Sequence, residues 1–95
     1  MTFERASLLA TVHGRVQGVF FRSFVHDRAQ ALGLTGYVKN LAGGRALEVC
    51  AEGEKEKLED LINHLRIGPP RARVERVDIQ WMEYSGRFIR FWVNY

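Results

Sequence analysis

The apolar residues of this chain keep two different periods, and the order in which the periods alternate restricts the fold more than any other feature. Residues 7–13 alternate, with Leu8, Ala10 and Val12 on one face and Leu9, Thr11 and His13 on the other, as a β-strand requires. Residues 21–32 instead carry Phe21, Val25, Ala29 and Leu32 along one helical stripe, and Gly33 follows as a cap. Gly36 opens a short strand over 37–41, and Gly43-Gly44 turns the chain into a third strand over 46–52. There Leu47, Val49 and Ala51 share a buried face while Glu48, Cys50 and Glu52 face water. A second helix over 54–66 places Leu58, Leu61, Ile62 and Leu65 at i, i+3, i+4 and i+7, and ends at Gly68-Pro69-Pro70. A strand over 74–82 alternates Val77, Ile79 and Trp81, and Ser85-Gly86 leads into a last strand over 88–93.

The order β-α-β-β-α-β with one more strand at the C-terminus predicts an α+β fold, a ferredoxin-like α/β sandwich. Both helices should cover one face of an antiparallel sheet. Ninety-five residues, 46% hydrophobic and 26% charged, suit one globular domain over 1–95 and argue against disorder. In this arrangement the first two strands run parallel with the third between them, so their C-terminal ends share one edge. Asn40, near the end of the second strand, is thereby expected beside the connection leaving the first.

That connection is Gly14-Arg15-Val16-Gln17-Gly18-Val19-Phe20-Phe21-Arg22. From Arg5 to His26 there is no Asp or Glu, yet Arg5, His13, Arg15, Arg22 and His26 all fall in this stretch. Backbone N–H groups in a glycine-punctuated loop before a helix make an anion cradle. Arg15, Val16, Gln17, Gly18, Val19 and Phe20 are therefore substrate-binding candidates, and a phosphate is the expected ligand. Arg22 stands in the first helical turn, where the helix dipole disfavours a cation, and a broken local rule marks a functional candidate. Taken alone, such a segment is more often an ordinary connection with a solvated arginine, and an Asn near a hairpin is more often a turn residue. The two together point to function. The loop is no Walker motif, since Val19-Phe20 follows Gly18 where Lys-Ser/Thr would be needed.

Gly14-x-Val16-Gln17-Gly18-Val19-x-Phe21-Arg22 resembles the first signature of the acylphosphatases. Gly36-Tyr37-Val38-Lys39-Asn40, followed by Gly43-Gly44, Leu47-Glu48-Val49 and Glu52-Gly53, resembles the second. The resemblance extends over nearly the whole chain. It implies hydrolysis of an acyl phosphate to a carboxylate and inorganic phosphate without a metal or other cofactor, with Arg22 binding the phosphoryl group and Asn40 positioning the attacking water. No catalytic role passes to Phe20-Phe21 or to Trp92-Val93-Asn94-Tyr95. The chemistry is consistent with the residues, because a carboxylate leaving group has a pKa of about 4 and needs little help from a general acid. Phosphoryl transfer rests mainly on positioning and on stabilising charge over three oxygens.

The remaining features exclude more than they suggest. His13, His26 and His64 lack ligand spacing, so no metal site is expected. Cys50, the only cysteine, cannot form an internal disulfide; it is read as a bystander thiol in a reducing, cytoplasmic setting. The N-terminus lacks the character of a leader, and no apolar run approaches the roughly 18 residues that cross a bilayer. The net charge of +3 is too small to demand a polyanion. An RNA-binding sheet of this fold stacks bases on aromatics, but Leu9, Thr11, His13, Glu48, Cys50 and Glu52 offer none. The expectation is a monomer acting on a small-molecule acyl phosphate, without nucleic-acid or membrane partners. A regulatory domain that binds phosphate without cleaving it is the alternative, and turnover separates the two.

Overall fold

The computed structural model describes residues 4–95; residues 1–3, part of the N-terminus read above for leader character, lie outside them. Five strands and two helices follow in the order β1 (Arg5–Arg15), α1 (Phe21–Ala31), β2 (Thr35–Asn40), β3 (Ala46–Glu54), α2 (Lys55–Ile67), β4 (Arg73–Met82) and β5 (Phe91–Asn94). The sheet order is β4-β1-β3-β2-β5, so β3 separates the parallel pair β1 and β2 as the split β-α-β pattern requires. The pairings β1–β3, β1–β4 and β2–β3 are antiparallel. The added strand β5 departs from an all-antiparallel sheet, because it pairs with β2 in parallel, Gly36 opposite Phe91 and Lys39 opposite Asn94.

Alternation decides which face of the sheet meets the helices. Leu8, Ala10 and Val12 of β1, Val38 of β2 and Leu47, Val49 and Ala51 of β3 are all inaccessible to solvent. They meet Phe21, Val25 and Ala29 of α1 and Leu58, Leu61, Ile62 and Leu65 of α2. Burial of the Val, Leu, Ile and Phe side chains among them supplies about 1.5–3 kcal/mol each, which makes this layer the main source of stability.

The opposite face is less open than the alternation of β3 suggests. Cys50 and Glu52, expected to face water, are buried at 1% relative exposure each. Residues 83–90, which connect β4 at one edge to β5 at the other, cross this face and cover them. Glu52 accepts hydrogen bonds from the Ser85 hydroxyl (2.7 Å), the Ser85 N–H (3.1 Å) and the Gly86 N–H (3.0 Å). The Phe88 ring meets Tyr37 edge-on at 6.0 Å, so β5 starts at Phe91 rather than at residue 88. The crossing lies at the Ser7 and Thr35 end of the sheet, which leaves the Asn40 end uncovered.

Candidate active site

β1 shifts register against β4 between His13 and Gly14, a bulge that bends the strand as it approaches the loop. Arg15 ends the strand opposite Arg73 with its side chain exposed. Over the next five residues the side chains alternate in fate. Val16 and Val19 are buried at 1% and 4%, Gln17 is half-buried, and Gly18 and Phe20 are exposed. The valines therefore anchor the loop in the core, and what they present outward is backbone. Gly18 has φ 73° and Phe20 has φ 63°, while their neighbours have negative φ. That alternation of sign turns successive N–H groups towards a common centre, the geometry of an anion-binding nest. The N–H groups of residues 16–20 have no acceptor among the described residues. They adjoin the first turn of α1, whose N–H groups also lack intrahelical partners and whose dipole is positive there. No acidic residue occupies that turn.

Arg22, the second residue of α1, donates from Nη1 to the Asn94 carbonyl at 3.0 Å, and its guanidinium lies 4.6 Å from the centre of the Tyr95 ring. The C-terminal residues thus hold the arginine at the mouth of the loop. A concavity of about 380 Å³ opens there, lined by Val16, Gly18, Phe20, Phe21, Arg22, Ser23 and Tyr95. A larger groove of about 750 Å³ between α1 and β5 shares Ser23 and Tyr95 with it but includes none of the cradle residues.

Asn40 ends β2 at the same edge of the sheet. Two ties reach its immediate neighbours: Gln17 Nε2 donates to the Leu41 carbonyl at 2.8 Å, and Arg22 is bonded to Asn94, the register partner of Lys39. Loop, arginine and asparagine, far apart in sequence, are therefore joined through the residues flanking Asn40. The Asn40 Oδ1 is buried and has no hydrogen-bond partner among the described residues. A buried carboxamide oxygen without a partner loses about 1–3 kcal/mol, so this atom favours any ligand with a hydrogen to give.

Groups with displaced titration sit instead on the face of the sheet away from the helices. Burial pushes the Tyr37 phenol up to about 12, helped by its 2.8 Å hydrogen bond to Glu48, and burial likewise pushes the Cys50 thiol up. His13, at the base of the loop, pairs with Asp78 at 2.9 Å. Among the described residues no three His, Cys, Asp or Glu side chains converge. Two features escape any reading by motif: the side chain of Gln17, and the clamp formed by Asn94 and Tyr95. The one hint in the sequence is the aromatic C-terminus itself.

Comparison with known proteins adds to this geometry. The family model "Acylphosphatase" matches residues 8–93. An acylphosphatase of Dehalococcoides mccartyi is 47% identical over 88 residues, 93% of this chain and 97% of that relative. Among solved structures, an acylphosphatase from Bacillus subtilis superposes with a TM-score of 0.90 at 33% identity, covering 95% of this chain and 99% of the other. One from Coxiella burnetii gives 0.89 at 38% identity, covering 95% and 93%.

Proposed function

The chain belongs to the acylphosphatase family, and we propose that this enzyme cleaves the carboxyl–phosphate bond of a small acyl phosphate at the loop of residues 15–20, with Arg22 and Asn40 as its catalytic residues. The phosphoryl group lies in the nest of N–H groups, and the planar fork of Arg22 takes two of its oxygens. Both are positive partners fixed before the substrate arrives, so they stabilise charge as it spreads over the equatorial oxygens without reorganising. The Asn40 Oδ1 accepts a hydrogen bond from a water and holds it in line with the breaking bond. Water oxygen bonds to phosphorus, the phosphorus–acyl oxygen bond breaks, and the electron pair leaves with the carboxylate. The surplus proton passes to a phosphate oxygen or to solvent. Asn40 is neutral and takes no proton.

What supports this reading is that the loop with its unpartnered amides and the Arg22 guanidinium border one concavity, while Asn40, whose Oδ1 has no partner among the described residues, ends β2 at the same end of the sheet. The carboxylate leaves readily by itself, so the reaction needs neither a metal nor a cofactor. We also read the enzyme as a cytoplasmic monomer. The free thiol of Cys50 suits a reducing compartment, and no helix among the described residues is long and apolar enough to cross a membrane. Residues 83–90 cover Cys50 and Glu52, and Glu48 is half-buried, so that face of the sheet makes a poor platform for nucleic acid.

The test is phosphate release from benzoyl phosphate by purified protein in the presence of EDTA. Turnover is expected in the wild type, and Arg22→Gln should lower kcat on the order of a thousandfold. A folded wild type that binds phosphate but releases none from the substrate would make this a binding domain. Near-normal turnover in Arg22→Gln would remove the arginine from the mechanism.

A further inference from the structure

Gln17 offers its backbone N–H to the cradle, but its side chain reaches away from it. One primary amide nitrogen donates both its hydrogens, to the Leu41 carbonyl at 2.8 Å and to the Ala46 carbonyl at 2.9 Å. These acceptors stand on the two legs of the hairpin between β2 and β3, which is itself closed by the Leu41 N–H on the Ala46 carbonyl at 3.0 Å. A single hydrogen bond would let the loop pivot; two donated from one planar group to both legs fix its position and its tilt. The bond from the Gly14 N–H to the Arg45 carbonyl, 2.9 Å, ties only the stem of the loop. Over residues 16–20 the two hydrogen bonds of the Gln17 side chain are the only ones to the hairpin among the described residues.

Leu41 directly follows Asn40, so the bracket sets the distance between two groups that must act on the same phosphorus from different sides. We propose that Gln17 is a positioning residue, whose side chain fixes the spacing between the phosphate cradle and the carboxamide of Asn40. The inference rests on the reading of Asn40 as the residue that holds water. Displacement of a reacting group by about 1 Å lowers the rate roughly a hundredfold, whereas a phosphate bound mainly by the loop amides tolerates the same movement, because those donors move with it.

Gln17→Leu keeps much of the bulk and removes both donors; Gln17→Asn keeps the amide but is one methylene too short to span both carbonyls. Each variant is assayed for kcat with benzoyl phosphate and for inhibition by inorganic phosphate, alone and combined with Asn40→Ala. Circular dichroism and thermal unfolding establish that each is folded, and Gln17→Asn carries the comparison should Gln17→Leu fail to fold. The expected result is a 10- to 100-fold fall in kcat in both variants with the phosphate inhibition constant changed less than about threefold. In the Asn40→Ala background the same substitutions should lower kcat by less than about threefold, since no aligned water remains to be displaced. Equal losses on both backgrounds, a kcat near wild type, or an inhibition constant rising in step with the loss of kcat would each overturn the inference and leave the functional reading intact. An inert wild type, or an Asn40→Ala enzyme with full turnover, would overturn that reading and the inference with it.

Discussion

Phe20 holds a left-handed backbone, φ 63° and ψ 25°, while its ring is 77% exposed and gains little from packing. A non-glycine residue there loses about 1–2 kcal/mol relative to ordinary conformations, so the strain is kept for what the backbone does, which is to complete the alternation that begins at Gly18. Residue type, read together with the glycine-punctuated loop and the strand order, singles out Arg22 and Asn40 as candidates: an arginine at the wrong end of a helix dipole and an asparagine ending a strand. It does not reveal the partners that hold Arg22, because Asn94 lies 72 positions away and no period links them. The Tyr95 ring tests that clamp. An exposed cation–π contact is worth about 0.5–1 kcal/mol, so Tyr95→Ala should raise KM for acyl phosphate two- to fivefold, whereas Tyr95→Phe, which keeps the ring, should leave it unchanged. The Asn94 carbonyl remains in both variants, and steady-state kinetics tell them apart. A far larger loss in Tyr95→Ala would mean that the ring, not the carbonyl, is the main restraint on the guanidinium.

Elements with a single clear period were legible in the sequence, and those without one were not. The stripe Phe21, Val25 and Ala29 and the alternation of β1 fix their own buried faces. Residues 83–90 have no period, so neither their path across the sheet nor the burial of Cys50 and Glu52 beneath them follows from the pattern of β3. Glu52 shows what that crossing does. Burial alone would raise its carboxyl, but the Ser85 hydroxyl, the Ser85 and Gly86 N–H groups and the Ser7 hydroxyl outweigh burial and hold it below the usual value. A carboxyl depressed in the folded state stabilises fully above its unfolded pKa of about 4.3 and loses that contribution as pH falls through the lower folded value. Glu52→Gln should therefore destabilise by about 1–3 kcal/mol at pH 7, and the gap to wild type should close below about pH 4 in urea titrations. β2 is constrained differently. Gly36 has φ 139°, and a Cβ there would run into the Cys50 carbonyl across the β2–β3 pairing. Gly36→Ala should cost roughly 3 kcal/mol, from a forbidden backbone and overpacking together, in the same denaturant assay.

On the scale of the whole molecule, the two ends of the sheet carry different tasks. Residues 83–90 close over the Glu52 end, and the cradle, the Arg22 clamp and the hairpin gather at the Asn40 end. That division follows from topology: in the order β4-β1-β3-β2-β5 the C-terminal ends of β1, β2 and β5 all meet at one edge. An edge that brings together three chain segments in the folded state has no counterpart in the unfolded chain, where Arg22, Asn40 and Asn94 are dispersed. On the proposed reading a phosphate held by the cradle and Arg22 binds only the native protein, so binding should appear as stability. At ten times its dissociation constant such a ligand adds about 1.4 kcal/mol. For a domain of this size that raises Tm by roughly 6–11 °C. Phosphate also stabilises proteins generally by exclusion from their surfaces, an effect that does not depend on one guanidinium. Arg22→Gln separates the two contributions in calorimetric scans at increasing phosphate. The general effect should persist in the variant, and the saturable part should be present in the wild type alone. A saturable rise of equal size in both would place phosphate somewhere other than the cradle.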